Sequence, residues 1–347
     1  MSKPKILDLF CGCGGLSLGF EKAGFDIALG IDVWNDAIKT YNRNHLESVG
    51  VCKDIHELTE DYLKDLAKKE NVVGVIGGPP CQGYSTVGTR DIRDPRNHLY
   101  LEYCRVVEAI NPQFFVIENV KGLLTLNKGM FKEDIISRFS KLGYKVAYKV
   151  LNASDYGVPQ NRQRVFFVGL KEGEFEFPQE KDFKVSTLEA LGDLPSLEYE
   201  DFDVYSYDEY PSKTTYQNLM RKDSLGIYNH NKTQHTEQTK NIIGMIKDGG
   251  RISDLPQEYW GIRKYNKAFQ RMNSKEPSHT IDTGHRNYFH YSENRVPSVR
   301  ECARIQSFPD TFIFEGSKTS QYKQVGNAVP PLLAQEIATR IMKYLKR

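Results

Sequence analysis

Two short motifs place reactive side chains directly after segments whose apolar character predicts buried strands. Cys81 follows two prolines at the end of VVGVIGGPPC, and Glu118 ends the apolar run FFVIE. A cysteine presented on a stiff Pro-Pro turn is a candidate nucleophile, although a single cysteine is more often an inert buried thiol. A carboxyl group partly removed from water is expected to have a raised pKa, so Glu118 is a candidate proton donor.

A third motif, QNRQRVFFVG, carries two arginines at the start of another apolar run. Because strand side chains alternate, Arg162 and Arg164 are predicted to point to the same side of the entering strand. Two cations on one side suit a phosphate or a carbonyl oxygen. Each of these motifs, taken separately, also admits a purely structural role.

A glycine-containing loop, DLFCGCGG at residues 8–15, lies between a predicted strand and a predicted helix. Gly12 and Gly14 allow the backbone to turn tightly and to approach a ligand closely. Asp32 follows roughly 20 residues later, where an acidic residue of such folds holds a ribose, although a surface carboxylate is the alternative. The full dinucleotide spacing is absent, so a single-nucleoside cofactor fits better than NAD.

These motifs need a frame that brings the ends of several strands together. The first half of the chain alternates strand and helix patterns, with strands predicted at 6–10, 27–31, 72–76, 114–117, 144–151 and 165–170. This alternation predicts a doubly wound α/β sheet, in which ligands bind at the carboxyl ends of the strands. Periodic apolar residues return near the end of the chain and predict a helix at 332–345.

The segment 176–294 differs in character, since it is polar, rich in Tyr, Asn, Lys and Asp, and weakly periodic. It predicts a smaller, loop-rich module. Its mixture of aromatic, amide and cationic side chains suits a nucleic-acid surface. A solvated insertion is the alternative for this segment taken alone.

Bulk composition narrows the function classes further. The 347 residues suffice for one large domain or two modest ones, and a net charge of +2 requires any basic surface to be local. There is no apolar run long enough to span a membrane and no signal-peptide layout, so a cytoplasmic chain is expected. None of the six cysteines forms a CxxC pair, which argues against a metal site, and Cys11 and Cys13 are expected to fill the glycine loop.

Taken together, the motifs resemble the DNA cytosine-5 methyltransferase family, in particular its bacterial restriction-modification members. The resemblance is carried, in order along the chain, by DLFCGCGG, PPCQGYS, ENV, QNRQR, RECARIQSFPD and QVGNAVPP. It covers most of the sequence outside 180–290. It implies a Rossmann-like, S-adenosylmethionine-dependent methyltransferase fold with a mostly parallel sheet, plus a smaller loop-rich target recognition domain.

The resemblance also implies a domain organisation and partners. A catalytic and cofactor-binding domain is expected at 1–180, completed by 315–347, with the target recognition domain at 181–314. Double-stranded DNA is the expected substrate, bound by a monomer, and a cognate restriction endonuclease would act in the same system without direct contact. Arg300 and Gln306 lie in the motif that organises the recognition domain and are expected to be structural.

Residue roles follow from the same resemblance. Cys81 would be the nucleophile, Glu118 would contact cytosine N3, Arg164 would contact O2, and Arg162 would support the catalytic loop and its phosphate contacts. Phe10 would pack on the cofactor adenine, Asp32 would bind the ribose and Asp54 the adenine amino group. The full cofactor set is Phe10, Gly12, Gly14, Gly15, Asp32, Val33, Asp54, Ile55, Pro80 and Asn327. The expected DNA contacts after the nucleophile are Gln82, Ser85, Arg90, Arg93 and Arg96.

Three other functions could account for some of these motifs. A transfer-RNA cytosine-5 methyltransferase shares these motifs, but that branch carries a Cys-Phe-Thr tripeptide that this sequence lacks. A non-catalytic family member would not need Cys81, Glu118 and Arg164 together. An NAD-dependent oxidoreductase would explain the glycine loop but neither PPCQ nor ENV.

Overall fold

The computed structural model describes residues 2–80, 98–198, 202–262, 269–284 and 288–345. The chain divides into two compact units. The first consists of Met1–Asn152, Gln163–Glu180 and Pro331–Arg347, and the second of Ala153–Arg162 and Lys181–Pro330. The C-terminal segment of the first unit is therefore shorter than the 315–347 predicted from the sequence, and the short segment before Gln163 belongs to the second unit.

The first unit is built on a seven-stranded sheet with the strand order β3-β2-β1-β4-β5-β7-β6. The strands are β1 (Lys5–Leu9), β2 (Asp26–Asp32), β3 (Gly50–Cys52), β4 (Val72–Gly77), β5 (Phe114–Val120), β6 (Lys145–Asn152) and β7 (Gln163–Leu170). Strands β1 to β5 are parallel, and β7 runs antiparallel to both of its neighbours. The predicted α/β fold with a mostly parallel sheet is confirmed.

Among the described residues, five helices alternate with these strands: α1 (Gly15–Lys22), α2 (Asn35–Asn44), α3 (Glu60–Glu70), α4 (His98–Ile110) and α5 (Met130–Lys141). Strand β5 is buried from its first residue to Asn119, and β1 is buried from Ile6. Such continuous burial explains why these strands consist of nearly unbroken apolar runs, because a parallel sheet is covered on both faces. The polar side chains of these two strands consequently lie near the strand ends.

The described residues of the second unit contain little regular structure. Its helices are α6 (Thr187–Leu191), α7 (Thr215–Arg221), α8 (Glu237–Met245), α9 (Val299–Ile305) and α10 (Lys318–Asn327). Its strands form two two-stranded sheets and are β8 (Val204–Tyr205), β9 (Ile227–Tyr228), β10 (Gln270–Arg271) and β11 (Tyr288–Phe289). The predicted loop-rich character of this region is confirmed.

Buried arginines organise the loops of the second unit. Arg300 is fully buried and donates to the backbone carbonyls of Tyr228, Pro309 and Phe312. Gln306 is also fully buried and donates to the carbonyls of Val325 and Ala328. The expectation that Arg300 and Gln306 are structural is confirmed.

The chain ends with helix α11 (Pro331–Leu345), which returns to the first unit. It packs closely against α1, since a Cβ added at Gly19 would lie 2.3 Å from the Cβ of Ala334. No helix within the described residues is long and apolar enough to cross a membrane.

Candidate active site

Strand β1 leads into the glycine loop, whose backbone repeatedly enters the left-handed region. Gly12 has φ +54°, and Gly14, with φ +94°, immediately precedes α1. A Cβ at Gly14 would lie 2.1 Å from Nε2 of the buried His45, so this position requires glycine on both conformational and steric grounds. Cys11 and Cys13 are buried and fill the loop, as predicted.

Asp32 ties the end of β2 to this loop. Its Oδ2 accepts a hydrogen bond of 2.9 Å from the Gly12 amide, and its Oδ1 accepts one of 2.9 Å from the Trp34 amide. A Cβ added at Gly12 would have no atom within 4 Å among the described residues, so space remains beside the loop. The open backbone, the half-buried carboxylate and the exposed Val33 next to it fit a nucleoside.

A buried carboxyl group that was not among the predicted site residues lies just before the loop. Asp8, near the end of β1, is 1% exposed and accepts a 2.6 Å hydrogen bond at Oδ2 from the Ser17 hydroxyl. Its Oδ1 has no partner within the described part of the chain. Burial raises the pKa of Asp8 to about 7. The signal was present in the sequence, as a carboxylate inside an apolar run that enters a glycine loop.

Asp54 begins a short 3-10 turn, Ile55–Glu57, that follows β3. Its Oδ1 accepts hydrogen bonds from the His56 amide at 3.0 Å and from ring Nδ1 of His56 at 2.6 Å. Both hydrogen bonds lower the pKa of Asp54 below its usual value, and the one from the His56 amide has the larger effect. Ile55 is buried beneath the turn. Asp54 is thus an ionised, partly exposed acceptor after the third strand of the sheet.

Glu118 and Arg164 form an ion pair near the carboxyl end of β5. Arg164 Nε lies 3.0 Å from Glu118 Oε1, and the two side chains are 15% and 11% exposed respectively. They come from the antiparallel neighbours β5 and β7, in which Arg164 is paired with Val120, two residues beyond Glu118. Arg164 Nη1 also donates to the Gln163 carbonyl at 2.8 Å. The structure therefore joins two residues that the sequence separates by more than forty positions.

The Pro79–Pro80 turn after β4 is tied to the same end of β5. Asn119 is buried next to Glu118, and its Nδ2 donates to the Pro79 carbonyl at 2.9 Å. A Cβ at Gly78 would lie 3.1 Å from Glu118 Oε2, so the turn passes close to the carboxylate. Asn119 was not among the predicted site residues, although it lies inside the ENV motif. The predicted site residues Cys81, Gln82, Ser85, Arg90, Arg93 and Arg96 lie outside the described residues.

Two predicted site residues, Arg162 and Asn327, belong to the second unit. Arg162 precedes β7 rather than entering it, and it is 1% exposed. Its Nη1 and Nη2 donate to the carbonyls of Ile281 and Gly326 at 3.1 and 2.8 Å. Arg164 lies within β7 and pairs with Glu118, whereas Arg162 lies just before β7 and holds backbone carbonyls. Asn327 is the exposed last residue of α10.

The fold and the strand-end polar residues place the protein among the Rossmann-like methyltransferases. A crystal structure of a DNA modification methyltransferase encoded within an E. coli prophage has a TM-score of 0.84 and 27% identity, covering 99% of this chain and 100% of that one. The S. pombe Dnmt2 methyltransferase shares the fold, with a TM-score of 0.64 at 16% identity over 99% of each chain.

Sequence comparisons identify the family. Residues 4–343 match the C-5 cytosine-specific DNA methylase family, so the chain belongs to this family and is a DNA cytosine-5 methyltransferase. Type II methyltransferase M1.HphI of Haemophilus parahaemolyticus is 40% identical over 342 residues, covering 97% of this chain and 86% of its own. Type II methyltransferase M.DdeI of Desulfomicrobium norvegicum is 41% identical over 374 aligned residues, covering 98% and 89%.

Proposed function

We propose that the protein methylates carbon 5 of a cytosine flipped out of a short specific duplex site, using S-adenosylmethionine and covalent addition of Cys81. The observation that carries this proposal is the Glu118–Arg164 pair beside the Pro79–Pro80 turn. The relatives are type II methyltransferases, which supports a role in a restriction-modification system. A cognate endonuclease would then recognise the same site without contacting this chain.

The reaction needs a nucleophile because carbon 5 of cytosine does not take a methyl group unaided. Addition of the Cys81 thiolate at carbon 6 breaks the 5,6 double bond and makes carbon 5 electron-rich. After carbon 5 gains the methyl group, a base removes its proton, the electron pair reforms the double bond, and the Cys81 thiolate leaves. Cys81 is the residue after Pro80, so the Asn119–Pro79 hydrogen bond supports its placement near Glu118.

Glu118 and Arg164 would stabilise the charge that this addition creates. When the thiolate adds to carbon 6, the electrons of the 5,6 double bond move to carbon 5 and are delocalised towards N3 and O2 of the ring. Glu118 takes up a proton when the base binds and shares it with N3, while Arg164 holds O2 through the donors that the ion pair leaves available. The ion pair fixes both side chains before substrate arrives, which lowers the cost of ordering them during the reaction.

The cofactor would be held by residues at the carboxyl ends of β1, β2 and β3. Phe10 packs on the adenine, Asp32 accepts from the ribose hydroxyls and Asp54 accepts from the adenine amino group, while Pro80 and Asn327 remain further expected contacts. The open space beside Gly12 and the bonded carboxylate of Asp32 support this placement. When bound, S-adenosylmethionine supplies a sulfonium-activated methyl group.

DNA recognition would be divided between the two units. Extrusion of the target cytosine costs a few kcal/mol and requires contacts that compensate for lost stacking. We assign the sequence-independent contacts to the residues after Cys81, namely Gln82, Ser85, Arg90, Arg93 and Arg96, and base discrimination to the second unit. Arg162 serves as a positioning residue for the backbone at Ile281 and Gly326, since its guanidinium donates to both carbonyls.

The Glu118→Gln variant tests the proposed role of the pair. The amide keeps the shape of the side chain but cannot deliver a proton to N3, so kcat should fall by about 10²–10⁴. The KM for S-adenosylmethionine should stay within about threefold, because Glu118 acts on the base rather than on the cofactor. Transfer of tritiated methyl groups to unmethylated DNA, at varied cofactor concentration, measures both constants.

A matched control comes from Glu176→Gln, because Glu176 is an exposed residue that pairs with Arg340 far along the chain. Its kcat and KM should equal those of the unmodified enzyme. Activity of Glu118→Gln within a few-fold of the unmodified enzyme would remove Glu118 from the reaction.

A further inference from the structure

Helix α4 holds the turn that carries Asp54. Arg105, within α4, donates from Nη1 to the Leu58 carbonyl at 2.7 Å and from Nη2 to the Ile55 carbonyl at 3.0 Å. The two carbonyls lie at the start of the 3-10 turn and just beyond its end. A single guanidinium therefore spans the whole turn.

The guanidinium is itself fixed by Glu102, one helical turn earlier on α4. Arg105 Nε donates to Glu102 Oε2 at 2.8 Å, and the two side chains are 28% and 20% exposed. Each of the three guanidinium nitrogens thus donates to a defined acceptor. The planar fork of arginine suits two separate carbonyls, whereas a lysine ammonium is a single point that cannot span them in the same way.

The turn is also restrained from its other sides. The side chains of Ile55 and Leu58 are buried in the core, and Asp54 Oδ1 is occupied by the amide and ring of His56. Asp54 Oδ2 takes no hydrogen bond from the described residues. The part of Asp54 that faces outward from this network is therefore one carboxylate oxygen whose position depends on the turn.

We propose that Arg105 is a positioning residue for adenine recognition, which it performs by fixing the Asp54–Leu58 turn so that Asp54 meets the 6-amino group of the cofactor. This inference rests on the proposed function, in which Asp54 contacts adenine. Arg105 would thereby contribute to ligand selectivity. A 6-oxo purine presents a hydrogen-bond acceptor at the position where the Asp54 carboxylate requires a donor, so a correctly placed Asp54 disfavours it. Arg105 serving the fold alone would affect stability and leave selectivity unchanged.

The test measures a ratio of two affinities by calorimetry. The probes are S-adenosylhomocysteine and S-inosylhomocysteine, which differ in the amino or oxo group at purine carbon 6. The unmodified enzyme should prefer the adenosyl compound by roughly 10- to 100-fold, the range for a hydrogen bond to a charged group. A ratio is informative because partial unfolding lowers the active fraction equally for both ligands.

Four variants make the ratio diagnostic. Asp54→Ala should bring it close to one, and Arg105→Met should lower it at least threefold, since the turn loses both anchoring donors. Arg105→Lys retains a charge beside Glu102 and should give an intermediate ratio, which keeps the inference testable if Arg105→Met does not fold. Arg138→Met, which removes an exposed arginine paired with Asp134 on α5, should leave the ratio unchanged.

The outcomes distinguish the role of Arg105 from the proposed contact between Asp54 and adenine. A full adenosyl preference in Asp54→Ala, or none in the unmodified enzyme, would contradict the contact between Asp54 and adenine. A lost preference in Asp54→Ala combined with an unchanged ratio in both Arg105 variants would overturn the role of Arg105 and leave the Asp54 contact standing.

Discussion

The two units of the molecule bury charged groups in different ways. In the first, Asp8 beneath the glycine loop has one oxygen bonded to Ser17 and the other without a partner in the described structure. In the second, the fully buried Arg304 donates to both oxygens of Asp310, to Asp193 and to the Ala190 carbonyl. Burial alone would raise the pKa of Asp310, but Arg304 lowers it below its usual value.

This difference teaches which charges serve the fold and which are available for ligands. A buried ion pair whose polar atoms are all hydrogen-bonded serves to hold the fold together. A buried carboxyl group with an unbonded oxygen instead lowers the free energy of unfolding, so its presence needs another explanation. By this criterion Arg300 and Arg304 are scaffold. Neither arginine is accessible to DNA, and the phosphate contacts remain proposed for the arginines after Cys81.

The largest effect expected from this comparison is the loss of stability in Arg304→Met. The substitution would leave Asp310 and Asp193 as buried carboxylates without their shared cation, at a cost of about 3–5 kcal/mol. Urea unfolding followed by tryptophan fluorescence and circular dichroism measures that change. Arg340→Met is the control, because Arg340 and Glu176 form an exposed pair that should contribute at most about 1 kcal/mol. Equal losses in the two variants would refute the scaffold role of Arg304.

A smaller effect is expected at Asp8. Its folded pKa of about 7 exceeds the ordinary value, so the folded state keeps a proton that the unfolded state has lost between about pH 4 and pH 7. Stability is therefore lost as the pH rises through this window, and the full penalty is present above pH 7. Relative to the unmodified protein, Asp8→Asn should gain about 2–3 kcal/mol between pH 5 and pH 8.

Asparagine can still accept the Ser17 hydrogen bond, so the substitution isolates the charge of Asp8. His230 and His290, whose pKa values burial lowers to about 4 and about 3, contribute equally in both proteins and cancel from the difference. Urea titrations at several pH values, without cofactor, measure the two curves. Parallel curves for the two proteins would show that Asp8 is ionised in the fold throughout this range.

Six of the seven strands of the first unit were predictable because each contains a run of apolar residues, whereas β3, which is only three residues long, was not predicted. The predicted strands at 72–76 and 165–170 fall inside β4 and β7. The antiparallel direction of β7 has no comparable local signal, because it depends on pairing with β5 and β6. The same holds for the ion pair of Arg164 with Glu118, which follows from that pairing.

The supporting residues of the site were less predictable than its acidic groups. Asp32 and Asp54 stand at strand ends, which is a recognisable context. Arg105 is one arginine on an amphipathic helix, and nothing in its local sequence shows that it reaches two carbonyls some fifty residues earlier. The acceptors of Arg162 were equally unpredictable, since they lie more than one hundred residues away along the chain.

The elements of the second unit could not be predicted from the sequence because long-range polar contacts, and not periodic apolar packing, hold them together. Its strands are two residues long, which is too short for an alternating pattern to be visible. Arg271 illustrates the alternative, since it donates to the carbonyls of Ile243, Ile246 and His290 from within one such strand. The polar composition indicated a loop-rich module, but not these partners.

Covalent trapping of Cys81 tests the central claim most directly. Bisulfite sequencing of DNA from cells expressing the protein first locates the methylated cytosine, and a duplex with 5-fluorocytosine at that position is then incubated with enzyme and S-adenosylmethionine. Fluorine cannot leave carbon 5 as a proton does, so elimination should stall after methyl transfer. The account predicts a denaturation-resistant adduct that peptide mapping assigns to Cys81 and that Cys81→Ser does not form. An enzyme that methylates the ordinary duplex but forms no adduct, or forms it through another residue, would contradict the account.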